Sequence, residues 1–78
     1  MSTEANYLRD LGCLLRDAAR EAKRDADSAR GTKNKEWKSG YSFAYMEVIS
    51  LMQQQADAFG LPLENLALDG IDPERDLL

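Results

Sequence analysis

Apolar side chains recur every three or four residues along the first part of the chain. They occupy positions Tyr7, Leu8, Leu11, Leu14, Leu15, Ala18, Ala19, Ala22, Ala26 and Ala29. This spacing places them on one side of an α-helix, within an arc of about 160°. Thr3 is a suitable N-cap, and Gly31 is a suitable end because glycine accepts a left-handed conformation. The pattern therefore predicts a first helix over residues 4–30.

A second stretch shows the same spacing with larger side chains. Its apolar positions are Trp37, Tyr41, Ala44, Tyr45, Val48, Ile49, Leu51, Met52, Ala56 and Phe59. Gly60 and Pro62 follow and favour an end to the helix there. We therefore predict a second helix over residues 34–59, with an apolar arc of about 180°. That arc is wider than one neighbouring helix covers, so we expect a further layer to pack on it.

The polar segment between the two helices is short. Residues 32–35 leave room only for a turn, which predicts that the second helix returns antiparallel beside the first. Small side chains are expected at the turn end of this hairpin, where the alanines late in the first helix face Gly40 and Ala44. Leucines and larger side chains are expected to fill the wider gap at the open end.

The last part of the chain carries regularly spaced leucines between turn signals. Pro62 suits the start of a short helix, Asp69-Gly70 suits a turn, and Asp72-Pro73 suits the start of a second short helix. We expect this segment to lie across the broad apolar face of the second helix through Leu63, Leu66, Leu68 and Ile71. The predicted fold is thus a single all-α domain over residues 1–78, and two copies would suit a four-helix bundle as a homodimer.

Length and composition predict a thin core and a reducing environment. A chain of 78 residues buries only about 60% of the surface that it exposes when unfolded. Cys13 is its only cysteine, so no internal disulfide can reinforce that core. No apolar run reaches the ~20 residues that a membrane span needs, and the N-terminus lacks a signal-peptide pattern. We therefore expect a cytoplasmic protein without a membrane partner.

The sequence offers little for catalysis. It contains no histidine, which removes the usual general base near neutral pH and the commonest metal ligand. Cys13 lies mid-helix on the side away from the leucines, so it is either a reactive or dimer-bridging thiol or an ordinary surface cysteine. The acids over residues 69–76 lack the spacing of a calcium-binding loop. We therefore predict no catalytic residue, no cofactor and no metal site.

One edge of the first helix is basic. Arg9, Arg16, Arg20 and Lys23 fall within an arc of about 60°. Such an edge can bind phosphates, which makes nucleic acid a possible partner. The sequence pI near 4.6, the interrupting Asp27 and the lack of a recognition-helix motif argue against that function. A solvated helix edge is therefore the favoured interpretation.

Two further surfaces are candidates for binding a protein. Phe43 and Met46 lie away from the main apolar arc of the second helix. They are expected to meet a partner, to be covered by the C-terminal segment, or to be ordinary scattered surface residues. The second surface is acidic and carries Asp69, Asp72, Glu74 and Asp76. It suits a basic site on another protein, although acidity that serves solubility is the favoured interpretation.

Three functional hypotheses follow. The leading one is a small noncatalytic interaction or adaptor module that acts through its helix faces, binds an unidentified protein partner and associates with itself. The second is a small acidic inhibitor, phage-encoded or antitoxin-like, that blocks a basic nucleic-acid-binding or effector site. The third is a nucleic-acid-binding regulator that uses the basic edge of the first helix.

Overall fold

Two long helices and a short C-terminal segment make up the chain. The computed structural model describes residues 2–78 and contains helix α1 (Thr3–Ser28), helix α2 (Lys35–Ala58), a single 3₁₀ turn (Leu63–Leu66) and helix α3 (Pro73–Leu77). No strand is present among these residues. Helices α1 and α2 pack against each other and the C-terminal segment packs on both. The predicted all-α hairpin with a short helical segment on it is confirmed.

The helix ends lie within two residues of their predicted positions. The N-cap of α1 is Ser2, whose hydroxyl accepts a hydrogen bond from the backbone N–H of Ala5 at 3.0 Å, so the expectation for Thr3 is wrong by one residue. Helix α1 ends before Gly31, which adopts a left-handed conformation (φ +79°) inside the turn. Gly60 does the same (φ +70°) just after α2, as expected of a residue that ends a helix.

The interface between α1 and α2 pairs small side chains with larger ones. Helix α1 contributes Ala19, Ala22 and Ala26, which are all buried. Helix α2 contributes Met46 and Ile49, among others, to the same core. The alanines thus allow the close helix approach that the sequence predicts. The expected contribution of α2 to this approach is wrong, because Gly40 and Ala44 are exposed, and a Cβ atom at Gly40 would meet nothing within 4 Å.

The C-terminal segment, residues 61–78 and called the tail below, completes the core from one side of the hairpin. Its buried apolar side chains are Leu66, Leu68, Ile71 and Leu77. Leu66 approaches Gly12 of α1 so closely that a Cβ atom at position 12 would overlap the Leu66 carbonyl group. Glycine is therefore required at position 12 for the tail to lie this close to the helix.

Side chains of α1 and α2 bind the carbonyl groups of the tail where it has no regular structure. Gln53 donates from Nε2 to the carbonyl oxygens of Leu68 (3.1 Å) and Ile71 (2.9 Å). Arg16 donates from Nη1 to Ala67 O at 3.2 Å, and Arg20 donates from Nη2 to Gly70 O at 3.3 Å. Ala67 itself is in the left-handed conformation (φ +58°). These bonds satisfy carbonyl groups that no helix partner would reach.

The side that the tail covers differs from the predicted one. We expected the tail on the broad arc of α2 that contains Trp37, Tyr41 and Val48. The buried residues of α2 are instead Ser42, Met46, Ile49 and Ala56, with Gln53 half-buried beside them. The tail therefore packs on the Met46 side and leaves most of the broad arc uncovered. None of the helices described in residues 2–78 is long and apolar enough to cross a membrane.

Two glycine substitutions test the close approach of the tail. Gly12→Ala should lower the free energy of unfolding by about 1–3 kcal/mol, because the new methyl group overlaps the Leu66 carbonyl. Gly40→Ala, in the exposed middle of a helix, should raise it by about 0.5–1 kcal/mol. Urea unfolding followed by circular dichroism measures both. Effects of the same sign would contradict this packing.

Candidate functional site

The side of the hairpin opposite the tail exposes large apolar side chains from both helices. We call this surface the open face and define it by Tyr7, Leu14, Trp37, Tyr41, Val48 and Leu51. At 100° per residue, Tyr7 and Leu14 lie about 140–160° around the axis of α1 from Gly12, which contacts the tail. The four residues of α2 lie at least about 120° from Met46 and Gln53. The open face and the tail therefore occupy opposite sides of the hairpin.

These side chains are exposed to an unusual degree for their size. Trp37 is 69% exposed, Tyr7 67%, Leu51 61% and Leu14 60%. Single exposed apolar residues are common on protein surfaces, whereas several large ones on one side of a hairpin are unusual for a monomer. The sequence pattern identified the four α2 residues as apolar positions that need a covering layer. It was wrong in expecting the tail to supply that layer.

Three aromatic rings form a ladder along the turn end of the open face. Trp37 stacks on Tyr41 with ring centroids 5.4 Å apart and an angle of 10° between the planes. Tyr41 meets the half-buried Tyr45 edge to face at 5.2 Å, and the two hydroxyl oxygens lie 3.4 Å apart. This hydrogen bond with Tyr41 raises the pKa of Tyr45. The four-residue spacing produces the ladder, since residues i and i+4 are neighbours on a helix surface.

An apolar groove continues from the open face at the other end of the hairpin. Its volume is about 300 Å³, and its lining includes Leu51 of the open face together with Leu8, Phe59 and Leu61. Phe59, just after α2, is 76% exposed. Apolar surface thus runs from the turn end of α2 to its C-terminal end.

The basic edge of α1 faces the tail. Arg16 and Arg20 are half-buried and bind tail carbonyl groups, as described above. Lys23 donates to the Asp27 carboxylate at 2.8 Å. Arg9 is exposed, and the structure records no ion pair for it within residues 2–78. The four residues of the predicted phosphate-binding edge therefore share one side of α1, and three of them make contacts inside the fold.

The acidic residues of the tail divide into two groups. Asp72 caps α3 by accepting hydrogen bonds from the N–H groups of Glu74 and Arg75, and Asp76 accepts one from the N–H of Asp72. Asp69 and Glu74 are exposed and make no side-chain hydrogen bond within the described residues. Two of the four predicted partner-binding acids thus support the local fold, and two face solvent.

Phe43 and Met46, the other predicted partner-binding residues, have different environments. Met46 is only 9% exposed and belongs to the core cluster that the tail completes, so coverage by the C-terminal segment, one of the alternatives given for it, is the one that the structure shows. Phe43 is 48% exposed and lines a cavity of about 280 Å³ together with Leu77 and Leu78. The tail therefore covers Met46 fully and reaches the edge of Phe43.

Cys13 and the carboxylates offer no evident reaction centre. The Cys13 thiol is free and half-buried, and it accepts a hydrogen bond from Arg16 Nη2 at 3.1 Å. Within residues 2–78, no group of three or more cysteine, aspartate or glutamate side chains is arranged to hold a metal ion.

Comparison with known proteins identifies no relative. No protein-family model, curated protein or solved structure matches this chain.

Protonation of Asp76 should loosen the C-terminal helix in acid. Arg75 donates two hydrogen bonds to the carboxylate (2.8 and 2.9 Å), and with the N–H of Asp72 they lower its pKa to about 2 from an ordinary value of 3.8. The unfolded chain then binds more protons between these two pH values, so stability falls as the pH drops through this range. Asp76→Asn should flatten this part of the pH dependence.

Urea unfolding at several pH values from about 2 to 5 measures the effect. Glu74→Gln is the control, because the Glu74 carboxylate makes no hydrogen bond within the described residues and lies only two positions away. An Asp76→Asn profile that runs parallel to the wild-type profile would contradict the assigned role.

Proposed function

We propose that this chain is a noncatalytic protein-interaction module that binds through its open face. The observation that supports this function is the exposure of six large apolar side chains on the one side of the hairpin that the tail leaves uncovered. Burial of such side chains against another protein removes apolar surface from water, which is the main favourable term in protein association. Aromatic anchors such as Trp37 and Tyr41 supply a large share of the affinity in typical interfaces.

The positions of the polar side chains support the same proposal. On the covered side of α2, Ser42 is buried and Gln53 is half-buried, whereas Trp37 and Tyr41 face outward. A stable monomer normally has the reverse distribution, with aromatic side chains inside and polar side chains outside. A partner on the open face would restore that distribution, because the aromatic side chains would then lie between two protein layers.

A matched pair of substitutions tests this function. Tyr41 and Phe43 are both 48% exposed, lie two residues apart on α2 and point to opposite sides. Tyr41→Glu places a charge in the open face and should reduce partner capture at least about tenfold, because a buried unpaired charge is costly. Phe43→Glu should leave capture unchanged, since its cavity is also lined by Arg30 and Lys35.

The measurement is affinity capture by the tagged protein from a lysate of its own host, after nuclease treatment, with circular dichroism to confirm that each variant is folded. Capture that persists in Tyr41→Glu would contradict the proposal. Loss in Phe43→Glu alone would shift the binding surface to the tail side. Capture that depends on nucleic acid would instead favour the basic edge of α1.

A further inference from the structure

The exposed area of the open face is close to what a stable dimer needs. Taking about 150–250 Å² for each large side chain and the exposed fractions above, its six residues present on the order of 700 Å². A stable protein interface buries about 800 Å² on each partner, whereas the largest apolar patch on a monomer is about 300–600 Å². The half-buried Tyr45 and Met52 border this surface and add to it.

The hairpin is also shaped as half of a bundle. Helices α1 and α2 have 26 and 24 residues, and the chain measures 46 × 21 × 16 Å. The tail covers one broad side, so a second hairpin on the other side would place four long helices in two layers. Helices in such layers pack about 8–10 Å apart, a distance that large side chains fill.

Charge is distributed unequally along the hairpin. Its turn half, residues 19–46, carries seven basic and four acidic side chains. The helical parts of its open half, residues 3–18 and 47–58, carry two basic and five acidic side chains. Over these residues, which leave out the tail, the two halves carry formal charges of +3 and −3. The acidic side chains of α3 lie beside the turn half on the tail side, away from the open face. Across the open face, two hairpins packed with their turns together would bring like charge together at both ends, whereas an antiparallel pair would bring opposite charge together.

The apolar residues of the open face are also distributed to suit an antiparallel pair. Trp37 and Tyr41 lie in the turn half, whereas Tyr7, Leu14 and Leu51 lie in the open half. An antiparallel pair would place the aromatic ladder of one copy over the leucines of the other. The same contact would form twice, because the two copies are related by a two-fold axis.

We infer that the open face binds a second copy of this chain, and that the two hairpins pack antiparallel to form a four-helix bundle with the tails on its outer sides. This inference rests on the proposed function and names the partner. The interface between the two copies would be mainly apolar, with complementary charge at its two ends.

The first test measures the mass of the wild-type chain in solution. Light scattering at concentrations up to about 1 mM should give twice the 8.8 kDa of one chain. Trp37 is the only tryptophan and lies in the open face, so its fluorescence should shift to the red when the dimer dissociates on dilution. Phe43→Glu should remain dimeric, and Tyr41→Glu should raise the dissociation constant at least about tenfold.

The second test measures the orientation of the two copies. A spin label on Lys33→Cys, in a Cys13→Ser background, reports the distance between the two turns. An antiparallel pair should place the labels at a distance comparable to the 46 Å length of the hairpin. A parallel pair would place them within about two helix diameters, or ~20 Å, of each other.

The outcomes separate this inference from the proposed function. A wild-type chain that stays monomeric at the highest concentration would overturn the second copy as the partner. The interaction function would still stand in that case if Tyr41→Glu abolished the capture of another protein. A dimer with short label distances would overturn the antiparallel arrangement, and a dimer equally stable in Tyr41→Glu would overturn the open face as its interface.

Discussion

The packing of the tail on one side of the hairpin is the constraint on which the rest of the structure depends. Leu66, Leu68, Ile71 and Leu77 enclose Ile49 from that side and form the only buried cluster of large apolar side chains recorded for residues 2–78. The tail covers one side of α2 and leaves the other uncovered. The uncovered apolar side therefore follows from the apolar positions on both sides of α2 and from the packing of the tail on one of them.

Backbone hydrogen bonding explains why the tail lies on the more polar of the two sides. The tail has little regular structure between Leu66 and Pro73, so its carbonyl groups need side-chain donors. Gln53, Arg16 and Arg20 supply them, and Gly12 provides the space for the Leu66 carbonyl group. The six residues that define the open face include no amide or guanidinium group, and offer two tyrosine hydroxyls and one indole N–H as donors.

The hairpin was predictable from sequence because it depends on local rules. Periodicity, glycine positions and one short polar segment predict both helices to within two residues of their ends. The side covered by the tail was not predictable in the same way, because periodicity identifies apolar positions but does not tell which of them a later segment will bury. Trp37 was therefore expected under the tail, whereas coverage of Met46 by the tail was only one of the alternatives.

A signal for the correct side was present in the sequence. Gly12 lies inside α1, where glycine costs about 1 kcal/mol relative to alanine, so a packing reason for it could be sought, although Gly40 inside α2 has no such contact. Considered together with Gln53 and the arginines, Gly12 would have indicated the side on which a non-helical segment packs. The open face could be identified only once the side of the hairpin that the tail covers was known.

The roles of the charged residues in the fold also bear on how the functional hypotheses compare. Binding of a phosphate by Arg16 or Arg20 would withdraw a donor from a tail carbonyl group, and an unsatisfied buried partner costs about 1–3 kcal/mol. An acidic-surface inhibitor that used Asp72 or Asp76 would compete in the same way with the cap of α3. A partner on the open face would need no such exchange, because the hydrogen bonds that hold the tail lie on the opposite side. The interaction module is thus the hypothesis whose contact residues have no part in the hydrogen bonds of the tail, whereas the other two hypotheses keep that freedom only at Arg9, Lys23, Asp69 and Glu74.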